Sequence, residues 1–162
     1  MMVTSMVDLQ VDLGALEHNF RQLRQAVDPQ VNMLAVVKAD AYGHGLVPVA
    51  RTLTAAGAQY LGVGSLEEGL ALRQAGLNAP VLLLLGILPQ EAGSAVAQDL
   101  EISLFRLDVA EAVAAAARAQ ARRARVHLKC DTGMGRLGLL PGEVLPFLHT
   151  LKSFPELQIM GL

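Results

Sequence analysis

VNMLAVVKADAYGHG, residues 31–45, decides how the rest of the chain is read. Its first half, Val31–Val37, is apolar at successive positions from Met33 onward and ends on two valines. A strand with one wet face alternates apolar and polar residues, whereas a strand covered on both faces does not. Lys38 then follows directly, with Ala39, Ala41, Gly43 and Gly45 supplying small or flexible positions around Tyr42 and His44. A buried strand that ends in a lysine and a flexible turn is the pattern expected where α/β folds place their ligands.

Working outward, the same kind of apolar run recurs at Tyr60–Gly64, Val81–Leu85, Ile102–Arg106, Val126–Cys130 and Leu157–Leu162. Stretches with helical spacing separate the runs, which start about 20–31 residues apart, the size of one β/α unit. An opening helix, Leu13–Val27, carries Leu13, Leu16, Phe20, Leu23 and Val27 on one face. Ser65–Glu68 and Asp108–Glu111 match capping boxes, Gly57 and Gly76 sit where helices end, and Pro89 and Pro141 sit where first turns begin. The Ala-rich stretch Val109–Ala124 has strong helix propensity, and Arg122, Arg123 and Arg125 at its end suit a helix C-terminus. The expected fold is therefore α/β, with parallel (β/α) units forming about six strands in a single domain, residues 1–162. A closed (β/α)8 barrel takes about 250 residues. Both an open doubly wound sheet and an incomplete TIM-type barrel remain compatible with this pattern, and the last apolar run coincides with the end of the chain.

Composition narrows the function classes. The 162 residues carry 13 Lys+Arg against 15 Asp+Glu, a formal charge of −2, and 52% are hydrophobic. That balance speaks against a disordered segment and against nucleic-acid binding through a basic face. Val81–Leu85 is far shorter than the roughly 18 apolar residues of a membrane helix, and residues 1–10 show no secretory leader. One cysteine, Cys130, fits a reducing compartment, so a cytoplasmic location is expected. His18, His44, His127 and His149 lack metal-ligand spacing, and no metal site is expected.

Two segments hold residues with chemistry. A lysine at the mouth of a dry sheet interior loses part of its solvation, which frees a nucleophilic amine. Most loop lysines are simply solvated, so for Lys38 both readings stand on residue chemistry alone. In VHLKCDTGMGRLGL, residues 126–139, His127, Lys129 and Asp131 share one face of a strand. That polar face suits either a functional barrel mouth or an ion-pair network joining Lys129 to Asp131. Arg136 follows in a glycine-rich turn. Its planar guanidinium suits a carboxylate, phosphate or phenolate, or an ordinary surface pair.

Together, AVVKADAYGHG and HLKCDTGMGRLG closely resemble the bacterial alanine racemases, which use pyridoxal 5′-phosphate (PLP). The resemblance runs in collinear order from about Val7 to Leu162 and corresponds to less than half of the family's usual length. It implies that Lys38 binds PLP through its ε-amine and acts as one of two bases at the Cα of alanine. It implies that Tyr42 donates its hydroxyl to the cofactor phosphate, and that Arg136 lies near the cofactor's phenolic oxygen and the substrate carboxylate. Lys129 matches a position that is carbamylated in many members. Carbamylation turns a like-charge clash with Arg136 into a favourable pair; unmodified, the two would need an anion between them, for which Asp131 is nearest in sequence. Members of the family are homodimers that supply D-alanine for peptidoglycan, and their second base is a tyrosine from a C-terminal β domain of the other subunit. That domain and the later barrel strands lie beyond the sixth strand, so the 162-residue chain alone is expected to have little turnover. The alternatives are a barrel that holds PLP without turnover, and a structural half-barrel that self-associates through edges at Val31–Val37 and Leu157–Leu162.

Overall fold

Each βα unit is built from a short apolar strand and a helix that starts and stops on recognisable residues. In the computed structural model, which describes residues 9–162, Asp12 accepts a hydrogen bond from the Ala15 amide at 3.0 Å and opens helix α1 (Leu13–Ala26). The reading of the first ten residues as free of a leader falls mainly on residues outside the described ones. The order is then β1 (Leu34–Val36), a short turn α2 (Lys38–Gly43), α3 (Leu46–Ala55), β2 (Tyr60–Val63), α4 (Leu66–Gln74) and β3 (Val81–Leu83). It continues through α5 (Ala92–Ala97), β4 (Glu101–Leu104), α6 (Leu107–Ala119), β5 (Ala124–Leu128), α7 (Val144–Leu151) and β6 (Leu157–Gly161). Pro89 and Pro141 each open a single 3-10 turn, as expected from their fixed φ, and Gly57 and Gly76 close helices at φ +107° and +78°.

All six strands are parallel and stand in the order β1-β2-β3-β4-β5-β6. This order separates the two architectures that the sequence left open. A doubly wound sheet reverses direction at a switch point and carries helices on both faces. A strictly sequential order with right-handed crossovers puts every helix on one face, as in a barrel wall. The chain therefore forms six adjacent units of a (β/α)8-type wall with the sheet left open between β1 and β6.

Side-chain alternation along the strands agrees. Ala35, Val37, Leu61, Val63, Val81, Leu83, Ile102, Leu104, Val126 and Leu128 point to the helices, and each is buried. The opposite face carries Val36, Gly62, Leu82, Glu101 and Arg125 in one row across the sheet, following the strand register. On this concave face Leu34 and Val36 are exposed, and the last strand also leaves Ile159 and Met160 exposed, on successive positions that point to opposite faces.

Two helix starts differ from the sequence reading. Ser65 caps α4 through its Oγ and the Glu68 amide, but the Glu68 carboxylate turns away from the Ser65 backbone. At α6 the cap position is Arg106, and Asp108 lies inside the first turn, paired with the Arg106 guanidinium. In both cases a stronger partner, a free amide or a guanidinium, takes the carboxylate from the local box.

Candidate active site at the carboxyl ends of the strands

Lys38 leaves β1 at its carboxyl end, half-buried, and the chain turns at once. Ala39, Asp40, Ala41 and Tyr42 all have left-handed backbone angles, with φ between 53° and 57°. Left-handed conformation costs an L-residue roughly 1–2 kcal/mol, so four in succession persist only where surrounding contacts over-determine them. Those contacts are present. The Ala41 amide donates to Val37 O at 2.8 Å, and the Gly45 amide donates to Asp40 O at 2.9 Å. The Leu46 amide donates to Asp40 Oδ1 at 2.6 Å, which ties the turn to the start of α3. The His44 ring Nδ1, facing two carbonyl oxygens, donates to Ala41 O at 3.0 Å and Tyr42 O at 3.2 Å. Gly43 and Gly45, at φ +83° and +93°, let the chain leave the turn. The left-handed turn was not legible in the sequence, which marked these residues only as small and flexible.

Around this turn, Gly64 at the end of β2 faces the root of Lys38: a Cβ placed on Gly64 would lie 3.5 Å from Lys38 Cβ and 3.6 Å from Leu85 Cδ1. Leu85 in turn walls a cavity of about 30 Å³ together with Lys129, Met134, Arg136 and Leu137. The structure thus places Lys129 and Arg136 around one small cavity, with Lys38 on the other side of Leu85. Lys129 Nζ donates to Leu84 O at 3.3 Å, and Arg136 Nη2 contacts Met134 Sδ at 3.1 Å. Tyr42, at the end of the left-handed run, is 62% exposed. A larger cleft of about 280 Å³ opens alongside, lined by Gly64, Ser65, Leu85, Phe105, Arg106 and Leu137.

The site thus combines a strand-end lysine on a left-handed turn with a second lysine and an arginine that share a cavity walled by Leu85. A family model, "Alanine racemase, N-terminal domain", matches residues 11–162. The chain belongs to that family. It is 47% identical over 134 residues to the alanine racemase of Desulforamulus reducens, covering 83% of this chain and 36% of that one. It is 42% identical over 165 residues to alanine racemase 1 of Oceanobacillus iheyensis, covering 100% of this chain and 44% of the relative. Among solved structures, the alanine racemase of Clostridium difficile 630 superposes with a TM-score of 0.88 at 29% identity, covering 92% of this chain and 39% of the other. The Bacillus anthracis alanine racemase with bound L-Ala-P gives 0.86 at 34% identity, with 93% and 39% covered. The chain therefore spans about two fifths of the length of its relatives.

Within this alanine racemase N-terminal domain, one expectation about the second segment fails. Asp131 does not bridge Lys129 to Arg136. Its Oδ1 accepts the amides of Gly133 and Gly135, each at 3.0 Å. An Asp side chain readily accepts backbone amides a few residues ahead in a turn, and Lys129 Nζ, just as near in the chain, is directed to Leu84 O, so the carboxylate closes its own loop. These amides hold the Asp131 carboxyl below the usual aspartate range. A folded-state value lower than the unfolded one gives a contribution present above the unfolded value, about 3.9. It is lost as pH falls through the depressed folded value. Amide hydrogen-exchange protection at Gly133 and Gly135 is thus expected to fall on acidification from about pH 5 to pH 2, and Asp131→Asn should flatten that dependence. Equal protection at both pH values would contradict the assignment.

The polar face of β5 has a different partner. His127 Nε2 lies 2.6 Å from Glu101 Oε2, and Arg125 Nε lies 3.3 Å from Glu101 Oε1, an ion contact outside hydrogen-bond alignment. Glu101 is wholly buried, on the concave face of β4, and Arg125 also reaches Asp99 Oδ2 at 2.9 Å. The sequence reading started that strand at Ile102 and missed the acid; an acid just before an apolar run, opposite Arg125 and His127 one strand later, was the available signal. No helix among the described residues is long and apolar enough to cross a membrane.

Proposed function

We propose that the chain is the lysine-bearing part of an alanine racemase that uses PLP, interconverting L- and D-alanine. The observation that carries the reading is the position of Lys38: at the carboxyl rim of β1, its root packed against Gly64, with Lys129 and Arg136 across Leu85. Family membership supports the reaction class.

The side chains present fit an anionic, aldehyde-bearing cofactor. Lys129 and Arg136 bring two cations to one cavity, and the acid nearest in sequence, Asp131, is committed to loop amides. A phosphate, phenolate or carboxylate would find unpaired positive charge there. PLP supplies an electron-accepting ring that stabilises negative charge at the Cα of an amino acid.

The chain's own residues do the rest. Lys38 Nζ is the amine that would hold the aldehyde carbon, with loss of water, and, once displaced there by the substrate's amino group, it would remove and return the proton at Cα on one face. The left-handed turn carries Tyr42 four residues after Lys38, and the Tyr42 hydroxyl would donate to the cofactor phosphate. Arg136 orients the phenolic oxygen and the substrate carboxylate through its planar donors. A carbamyl group on Lys129 would convert the pair with Arg136 from repulsive to attractive. Exchange in both directions calls for a second acid/base on the opposite face. Of the two tyrosines, Tyr42 belongs to the lysine turn and Tyr60 opens β2 at the far end of its strand. That second group is proposed to come from the C-terminal β domain of a partner subunit, in a cytoplasmic homodimer that supplies D-alanine to peptidoglycan.

The test is to incubate the chain with PLP, reduce with borohydride and map the pyridoxyl group by mass spectrometry. A label on Lys38 is expected, and none there would overturn the reading. Label without deuterium exchange at the Cα of alanine would favour a barrel that holds PLP without turnover.

A further inference from the structure

Among the described residues, Glu68 is the one carboxylate that accepts hydrogen bonds on both sides of the lysine position. It sits in the first turn of α4, a helix whose start is fixed by Ser65. Its Oε2 accepts the Gly64 amide at 2.8 Å, at the carboxyl end of β2. Its Oε1 accepts the Asp40 amide at 3.2 Å, inside the left-handed turn. Gly64 is also where the base of the Lys38 side chain packs: a Cβ there would stand 3.5 Å from both Glu68 Oε2 and Lys38 Cβ.

We propose that Glu68 is a positioning residue for Lys38, a two-oxygen clamp that joins the end of β2 to the left-handed turn and so sets the direction in which the ε-amine leaves β1. The inference rests on the proposed role of Lys38, but the clamp itself does not. The chemistry needs a carboxylate. Two backbone N–H groups from separate segments converge on one side chain, and only a group with an acceptor on each arm satisfies both. Glutamine has the same shape but puts an N–H on one arm, facing an amide N–H. Aspartate keeps both acceptors but loses the reach to span the two segments. Backbone-to-carboxylate hydrogen bonds are also the stronger, charge-assisted kind. The turn gains from this, because four consecutive left-handed residues have no intrinsic reason to stay in place. The Asp40 side chain anchors the far end of the same turn to α3, so the two acids hold it from opposite sides. This also explains why the Ser65–Glu68 box is only half formed: the carboxylate that would close it is engaged by the lysine turn.

The experiment compares the wild-type chain with Glu68→Gln and with Asp12→Ala, which removes a helix cap remote from the site and controls for general loss of stability. Amide exchange at Gly64 and Asp40 is measured without any ligand. The rate of pyridoxyl labelling at Lys38, with PLP and cyanoborohydride, is measured relative to Lys152. In Glu68→Gln, exchange at these two amides is expected to rise at least about tenfold, and selective labelling of Lys38 to fall by a similar factor. Asp12→Ala should leave both ratios unchanged at equal stability. Unaltered exchange and labelling in Glu68→Gln overturn the proposal, and so does an equal effect in Asp12→Ala. Wild-type chain that labels Lys38 no faster than Lys152 refutes the cofactor role instead, while the exchange arm still decides the clamp. If Glu68→Gln does not fold, NOEs in the wild-type chain from the Glu68 γ-methylene to both amide protons decide it, and their absence overturns the proposal.

Discussion

Lys38→Ala is expected to abolish borohydride-stable pyridoxyl labelling at the strand end and to reduce any Cα proton exchange by roughly a thousandfold, the scale of removing a group that is both nucleophile and base. The chain has three lysines, Lys38, Lys129 and Lys152, so mapping the label is decisive. Lys129 is held to Leu84 O beside Arg136, in a cavity of about 30 Å³ that leaves little room. Lys152 follows α7 on the exposed surface. Neither lies on a turn that directs the amine. The fold itself should be indifferent to the change. Lys38 makes no ion pair among the described residues, and its backbone contacts survive truncation. A melting temperature within about 2 °C of wild type, with labelling lost, is the expected combination. Retained labelling at Lys129 in place of Lys38 would move the reactive amine to the other side of Leu85.

Gly138→Ala is the substitution with the largest expected effect on structure. Gly138 has φ +127°, and a Cβ there would stand 2.6 Å from Asp131 N, 2.9 Å from Cys130 C and 3.1 Å from Lys129 O. These are backbone atoms and cannot swing aside. They belong to the closure that brings the Arg136 loop back to the end of β5, where the Asp131 amide donates to Leu139 O and the Leu139 amide to Lys129 O, both at 2.8 Å. Strain at such a φ costs about 1–3 kcal/mol, and each broken bond adds about 0.5–1.5 kcal/mol. A loss of about 3 kcal/mol in denaturant titration is expected, or else release of the loop with exposure of the Asp131 and Leu139 amides to exchange. Gly133→Ala is the comparison. It also has a positive φ, +126°, but a Cβ would meet nothing within 4 Å, so only the backbone strain remains. Equal stability of the two variants would show that the close approach at Gly138 has no consequence.

The lysine loop shows how far the residues could be read. The apolar run ending at Val37 placed Lys38 at a strand end, and the glycines marked a turn. Nothing local announced that Ala39–Tyr42 would be left-handed, because alanine and tyrosine have no preference for that region. The turn exists because Asp40, Glu68 and His44 hold it, and Glu68 reaches it across 28 residues of sequence. The capping-box pattern at Ser65–Glu68 was legible but predicted the wrong partner for the same reason. Asp131 went the other way. A side-chain bridge to Lys129 and Arg136 was expected, and backbone amides of the same loop took the carboxylate instead.

What the residues alone determined are the properties with short memory along the chain: six apolar runs at β/α spacing, the opening helix from Leu13, the first turns at Pro89 and Pro141, the stops at Gly57 and Gly76, and the motif around Lys38. Each depends on side-chain chemistry within about one helical turn or one pleat. Only the tertiary structure decided the sequential strand order, which separates a barrel wall from a doubly wound sheet. It alone paired buried Glu101 with Arg125 and His127, and set Gly64 and Glu68 against the lysine turn. Those outcomes depend on which strands become neighbours, and backbone register between strands is set by packing over the whole sheet, not by any stretch of residues taken by itself.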